Sequence, residues 1–217
     1  MELSVMLSML GNSLIFTFFI FFITLIGSLP LGVLIALARM SRIRVLSSVA
    51  KVYISFMRGT PLMLQLMFFM FAPYYIFDIP IDVNWKYWAC SIGFILNYAA
   101  YFAEIYRSGI QSIPVGQYEA ASVLGYSRSQ TFMKIILPQV IKRILPAMGN
   151  EIITLIKDTS LAFVLGIAEM FTVAKQIANS QVTLLPYIIA AAVYWVICLI
   201  IEYGLNKTEK KLDYYHD

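Results

Sequence analysis

Five long runs of apolar residues, separated by shorter polar segments, organise this chain of 217 residues. The runs lie near residues 10–38, 61–77, 85–103, 144–171 and 184–205. Each is near or above the roughly 20 residues that a helix needs to cross a hydrocarbon core of about 30 Å. The pattern predicts an all-α integral membrane protein with five transmembrane helices in a single domain covering residues 1–217.

The composition supports a chain that lies in lipid. Hydrophobic residues make up 60% and charged residues only 13% of the sequence, whereas an ordinary soluble domain has about 25% charged residues. The mean hydropathy is +0.78. A soluble protein of this length would expose more apolar surface than water tolerates.

Basic residues predict the orientation of the five helices. Lys and Arg cluster at residues 39–58, 107–143 and 207–211, which all fall on one side of the membrane if the chain crosses five times. The positive-inside rule makes that side the cytoplasm, with the amino terminus outside and the carboxyl terminus inside. Because the charge is spread over three membrane-proximal loops, we expect no nucleic-acid partner.

Residues for catalysis, metal binding or nucleotide binding are missing from the sequence pattern. The single histidine, His216, is the penultimate residue, and Cys90 and Cys198 lie inside apolar runs, so neither a metal site nor a Ser-His-Asp arrangement is predicted. The spacing of Gly27 and Gly32 resembles that of a phosphate-binding loop, but Val33 occupies the position of its lysine. An intramembrane enzyme is therefore disfavoured.

The longest predicted cytoplasmic segment, residues 104–143, encodes a helix, a sharp turn and a second helix. Gly125 can adopt the left-handed conformation that ends a helix. Ser127 and Gln130 form an S-x-x-Q capping box, which predicts that a second helix starts there and continues to Leu137-Pro138. The alternatives are a loop helix that packs only on its own bundle and a helix that docks on another protein.

Polar residues inside the apolar runs are candidates for a binding site, because polar side chains at membrane depth are costly unless they are paired. Helical spacing places three of them on one face of the third span, one at comparable depth in the second span, and three at a polar interruption of the fourth. The substrate-binding candidates are Asn97, Tyr101 and Glu104; Gln65; and Asp158, Thr159 and Ser160.

The polar interruption LIKDTSLAF, residues 155–163, predicts a local break that exposes backbone groups beside a cavity. The alternative is an ion pair between Lys157 and Asp158 that marks the outer interface. Glu151 is expected to make a helix contact in the cytoplasmic half, Glu169 is expected near the outer surface, and residues 172–183 are expected to form an outer polar loop.

Residues 119–138, EAASVLGYSRSQTFMKIILP, resemble the EAA motif of the membrane subunits of ABC importers. The matching positions are Glu119, Ala120, Ala121, Gly125, Ile135, Leu137 and Pro138. RGTPLMLQL at 58–66, NYAAYFAEIYRSGIQSIPVGQYEAA at 97–121 and KDTSLAFVLG at 157–166 are similar to the polar amino-acid branch of these permeases.

The resemblance implies the membrane subunit of an ATP-driven importer that carries a polar amino acid, or a derivative such as cystine, by alternating access. Five spans with an outside amino terminus is the family's core arrangement. Glu119, Ala120, Ala121 and Gly125 would form a coupling helix that contacts a separate ATPase. ATP and Mg would be bound by that partner, with no cofactor in this chain.

The family's assembly implies four kinds of partner in a bacterial cell membrane: two ATPase subunits, a second identical or similar permease subunit, an external substrate-binding protein and the amino-acid ligand. An ion-driven secondary transporter that uses Asp158 or Glu104 as a relay is the main alternative. A scaffold that transports nothing is a third possibility.

Overall fold

The structure is a computed structural model that describes residues 2–212, so that His216 lies outside the described residues. Within them the chain is helical and contains no β-strand, which confirms the predicted all-α class. The helices are α1 (Leu3–Arg39), α2 (Arg44–Gly59), α3 (Leu62–Phe77), α4 (Trp85–Gln111), α5 (Val115–Val123), α6 (Arg128–Thr131), α7 (Leu137–Asp158), α8 (Met170–Gln181) and α9 (Leu185–Leu212). A π-helical turn (Phe132–Ile136) joins α6 to α7, and a 3₁₀ helix (Thr159–Leu165) follows α7.

Helix α4 forms the centre of the bundle. Phe94, Tyr98 and Phe102 are almost completely buried in the main core. Helix α1 packs closely against α4, since a Cβ built at Gly32 of α1 would lie 3.2 Å from the carbonyl oxygen of Ala99 in α4. Small residues allow this close approach, as is typical of helices that pack in membranes.

Among residues 2–212, two helices, α1 and α9, are long and apolar enough to cross a membrane, and the number rises to four if each bent pair forms one span. The bent pairs are α2 with α3, at 109°, and residues 128–165 with α8, at 57°. Helix α4 has 27 residues and is long enough to cross a membrane, but it is more polar than α1 and α9. It can contain more polar residues because neighbouring helices cover much of its surface. The five crossings and their orientation stay predictions.

Two predicted loops are wrong, because both segments are helical. Residues 44–59 form α2 rather than part of a basic loop, and residues 172–181 belong to α8 rather than to an outer polar loop. Each helix buries an apolar stripe against the bundle, including Ile54 and Met57 in α2 and Ala174 and Ile177 in α8. The polar residues that suggested loops occupy the other faces.

The helix that begins after Ser127 does not end at Leu137-Pro138 as predicted. It continues through a π-helical turn in which the Leu137 amide donates to the carbonyl of Phe132, five residues earlier. Proline has no amide hydrogen and its ring clashes with the carbonyl four residues before it in a regular helix. The wider turn accommodates Pro138, and α7 continues to Asp158.

Candidate functional site

The short helix α5 lies between Pro114 and Gly125, and Gly125 is the position at which the sequence predicts its end. Pro114 occupies the N-cap position. At the other end Gly125 is left-handed, with φ of 78°. Its amide donates to the carbonyl of Ser122 at 3.0 Å, and the amide of Tyr126 donates to Ala121 at 3.0 Å. These are the two hydrogen bonds of a Schellman motif, so the predicted turn is confirmed.

The second helix begins with the predicted capping box. The amide of Gln130 donates to Ser127 Oγ at 3.3 Å, and the amide of Ser127 donates to Gln130 Oε1 at 2.9 Å. Both ends of the turn are thus fixed by local hydrogen bonds. The direction of α5 relative to α6 is therefore set by the segment itself.

Most of the surface of α5 is left uncovered by the described residues of this chain. Ala121 is 1% exposed, whereas Glu119 and Ala120 are exposed. Large apolar side chains are exposed beside them, and the largest exposed fractions belong to Val123 at 88% and Leu124 at 74%. A rigid helix that presents small, acidic and apolar side chains together is suited to bind a groove on another protein.

Gln65 and Asn97 are brought together at the corner between α2 and α3. Asn97 Nδ2 donates to Gln65 Oε1 at 3.0 Å and to the carbonyl of Met57 at 2.9 Å. Gln65 Nε2 donates to the same carbonyl at 3.0 Å and to Thr60 Oγ1 at 2.7 Å. The two amides therefore satisfy backbone carbonyls that the end of α2 leaves open.

Asp158 lies at the predicted break in the fourth apolar run, where α7 ends and the 3₁₀ helix begins. Its half-buried carboxylate accepts a hydrogen bond of 2.7 Å from the hydroxyl of Tyr98. No ion pair joins Lys157 to Asp158 within residues 2–212, but the two side chains are within electrostatic range, so the alternative interpretation of these residues stays open. Thr159 is buried and donates to the carbonyl of Ile156.

An arginine and two tyrosines extend this arrangement across the bundle. The rings of Tyr98 and Tyr101 lie 6.1 Å apart. The guanidinium of Arg58 is 5.2 Å from the centre of the Tyr101 ring, within cation–π range. Arg58 and Asp158 thus lie at opposite ends of a chain of contacts, and Glu151 is within electrostatic range of both.

Glu104 and Ser160 are not members of that chain of contacts, although Glu104 is within electrostatic range of Arg58. Glu104 is paired with Arg107, whose Nε donates to Glu104 Oε2 at 3.0 Å. Ser160 lines a different groove of about 670 Å³, together with Lys157 and residues of α8 and α9. The seven candidates therefore do not form one cluster.

Glu169 is completely buried, with a side chain that is 0% exposed, and its predicted position near the outer side of the membrane stays a prediction. It caps α8 by accepting hydrogen bonds from the amides of Phe171 and Thr172, at 2.7 and 2.6 Å. Tyr194 of α9 donates to the same carboxylate at 3.2 Å. The acid is buried because these donors replace water.

Two residues of this chain of contacts, Tyr98 and Arg58, are not among the candidates predicted from the sequence. Tyr98 adjoins Asn97 and carries a hydroxyl inside an apolar run, which is a usable signal. The sequence pattern groups Arg58 with the other basic residues at 39–58 and does not single it out. Its position over Tyr101 depends on the fold of α2, which the sequence pattern did not predict.

Comparison with known proteins shows similarity over nearly the whole chain. A family model described as "Binding-protein-dependent transport system inner membrane component" matches residues 28–213. The L-cystine transport system permease protein TcyB of Bacillus subtilis (strain 168) is 38% identical over 208 residues, covering 95% of this chain and 87% of that protein. The probable amino-acid ABC transporter permease protein YckA of the same organism is 43% identical over 202 residues, covering 92% and 87%.

A solved structure matches the fold with similar coverage. It is a crystal structure of an amino acid ABC transporter with histidines, and the match has a TM-score of 0.85 at 34% sequence identity. It covers 97% of this chain and 99% of the other.

Proposed function

The chain belongs to the family of binding-protein-dependent transport system inner membrane components, and we propose that it is the membrane subunit of an ATP-driven importer of a polar amino acid. The observation that carries this proposal is α5, a rigid and exposed helix outside the helix bundle, fixed by Gly125 at one end. The similarity to amino-acid permeases over more than nine tenths of the chain supports the substrate class.

The proposed topology has five crossings, with the amino terminus outside and the carboxyl terminus in the cytoplasm. The crossings are α1, α3 with α2 as its inner approach, α4, α7 with the 3₁₀ helix, and α9. Lys and Arg near the inner ends of these elements support this orientation. The inner ends of α4 and α7 then meet at α5, which places the coupling helix in the cytoplasm.

In this proposal α5 carries movement between two kinds of subunit. Glu119, Ala120, Ala121 and Gly125 form or shape the surface that contacts a separate ATPase, which binds ATP and Mg. Two such ATPases act on a pair of permease subunits, identical or similar, and an external binding protein delivers the ligand. Because α5 is held by turns at both ends, displacement of the ATPase moves the transmembrane helices as rigid bodies.

Opposite charges in the bundle suit the two ends of an amino acid. Asp158, with Glu151 nearby, would receive the ammonium group, and Arg58 would receive the carboxylate. Tyr98 and Tyr101 lie between these charges and would line the path, with Thr159 fixing the break that exposes Asp158. The remaining candidates, Gln65, Asn97, Glu104 and Ser160, would shape the surrounding helices or meet the ligand in another state of the cycle.

Reconstituted transport tests the proposal. The chain, its ATPase and the external binding protein are placed in proteoliposomes, and uptake of labelled cystine, arginine and glutamine is measured with and without ATP. We expect uptake of at least one of these amino acids to require ATP and the ATPase. Uptake that follows a proton or sodium gradient without ATP would instead support an ion-driven secondary transporter.

A further inference from the structure

The corner between α1 and α2 carries three basic side chains that the described part of the chain leaves without a partner. Arg42, Arg44 and Lys51 are exposed, and none of them forms a hydrogen bond or ion pair with residues 2–212. Arg39 differs, because it donates to Ser47 Oγ at 3.0 Å and thereby closes the corner. The three unpaired cations therefore project from a fixed turn.

Helix α2 also exposes an apolar stripe next to these cations. Val45, Val49, Val52 and Phe56 recur at helical spacing and are 73%, 63%, 68% and 58% exposed. Arg44 and Lys51 are two helical turns apart and so lie on one side of the helix, about 10 Å from each other along its axis. A third side of the helix, with Ile54 and Met57, packs into the bundle.

The orientation of α2 suits the surface of a membrane. The axis of α2 makes an angle of 109° with that of α3. If α3 crosses the bilayer, α2 runs close to the membrane plane, where an amphipathic helix turns its apolar side toward the acyl chains and its basic side chains toward the headgroups. This step rests on the cytoplasmic position of the corner in the proposed topology.

The charge balance of the region specifies the ligand. No Asp or Glu occurs from residue 3 to residue 77, so this part of the chain offers the corner no acidic partner. The carboxylate at the inner end of α4, Glu104, is already held by Arg107. We propose that the α1–α2 corner is a binding site for an anionic phospholipid, whose phosphate headgroup contacts Arg42, Arg44 and Lys51 while its acyl chains cover the stripe on α2.

A second copy of the chain fits the same surface less well. A twofold contact places the same patch of each subunit against itself. Arg44 and Lys51 would then face their own like charges across the interface. The ATPase is already assigned to α5, which leaves a negatively charged lipid as the occupant that matches both the charge and the apolar stripe.

Lipid retention by the full chain tests this site without ATP, ATPase or binding protein, so its outcome is independent of whether transport is observed. The chain is purified from mixed micelles of phosphatidylcholine and phosphatidylglycerol, and retained lipids are identified by native mass spectrometry. We expect wild-type protein to retain phosphatidylglycerol preferentially. The triple variant R42Q/R44Q/K51Q should lose that preference by up to about a hundredfold, since each basic residue near an anionic surface contributes roughly fivefold.

A matched control separates the site from general attraction of positive charge. The variant K207Q/K210Q/K211Q removes the same charge at the end of α9, where Glu202 and Glu209 are close in sequence, and should retain the wild-type preference. The variant R42K/R44K keeps the positive charge and should also retain the preference for phosphatidylglycerol. If the triple variant R42Q/R44Q/K51Q does not fold, the single variant R42Q takes its place. Equal losses in the two triple variants would overturn the proposal, as would a Val49→Cys variant that cross-links to a second copy rather than to a lipid probe.

Discussion

The Tyr98 hydroxyl donates a hydrogen bond of 2.7 Å to the Asp158 carboxylate and so joins the middle of α4 to the residue at which α7 ends. No Lys or Arg within residues 2–212 forms an ion pair with this carboxylate. The hydroxyl satisfies part of the accepting capacity of one oxygen and carries no positive charge, and Lys157 is a cation within electrostatic range of the carboxylate. In the proposed function this carboxylate receives the ligand's ammonium group.

Replacing Asp158 with Asn should weaken ligand binding by the assembled complex roughly 10- to 100-fold, because a hydrogen bond to a charged group contributes about 1.5–3 kcal/mol. The asparagine keeps the shape and can still accept from Tyr98. Membrane insertion should be unchanged. Ligand affinity is measured by calorimetry on the purified complex, and insertion is measured by the yield of folded protein in the membrane fraction.

Tyr98→Phe is the matched control for the charge at Asp158. It removes the hydroxyl and leaves the carboxylate in place, so its effect on ligand affinity should be smaller than that of Asp158→Asn. Wild-type affinity in the Asp158→Asn protein would contradict a ligand contact at this carboxylate.

Local features of this fold could be predicted from the sequence, whereas contacts between distant segments could not. The turn at Gly125 and the capping box at Ser127 depend on residues within a few positions of each other, and both are present. Tyr98 and Asp158 are 60 positions apart, and the sequence around either residue does not indicate that the two are in contact. The corner formed by Gln65 and Asn97 likewise depends on how α2 folds back.

Helix α8 shows how an available signal was missed. Its polar residues suggested an outer loop, but Met170, Ala174 and Ile177 repeat at the spacing of a buried helical stripe. Glu169 stands directly before them in the position of an N-cap. A helix whose apolar side is narrow and whose cap is an acid resembles a loop when only average hydropathy is considered.

Replacing Gly125 with Val should uncouple ATP hydrolysis from uptake. The residue has φ of 78°. This left-handed conformation costs a residue with a side chain about 1–2 kcal/mol, and β-branched residues such as Val are the least able to adopt it. The turn after α5 would open and the helix would change direction. ATPase activity and amino-acid uptake are measured in the same proteoliposomes, and the ratio of uptake to hydrolysis should fall.

Asn tolerates the left-handed conformation better than any other residue except glycine and Asp. Gly125→Asn should therefore keep most of the coupling that Gly125→Val loses. Equal coupling in wild-type and Gly125→Val complexes would show that the turn does not transmit movement.

Replacing Gln65 with Glu should destabilise the folded chain by several kcal/mol. The carboxylate has the same shape as the amide but cannot donate. The Met57 carbonyl keeps its hydrogen bond from Asn97, whereas the Thr60 carbonyl, which accepts from Gln65 Nε2 at 3.2 Å, loses its donor. A buried carboxylate beside these carbonyl oxygens adds a penalty of several kcal/mol. Thermal unfolding in detergent measures the effect. The matched control is Gln176→Glu on the exposed side of α8, which should unfold near the wild-type temperature. Equal unfolding temperatures for the two variants would remove the structural role of Gln65.

Replacing Gly32 with Val should destabilise the contact between α1 and α4. A Cβ at this position lies 3.0 Å from Phe102 Cβ and 3.2 Å from the carbonyl oxygen of Ala99, and backbone atoms cannot move aside as a flexible side chain would. Overpacking of this kind typically costs about 1–3 kcal/mol. Gly11→Val provides the control on the same helix, since nothing lies within 4 Å of a Cβ there. Both substitutions add the same β-branched side chain to a helix, so the difference between their unfolding temperatures isolates the helix contact. If Gly32→Val unfolds at the same temperature as Gly11→Val, the close approach of α1 to α4 does not stabilise the bundle.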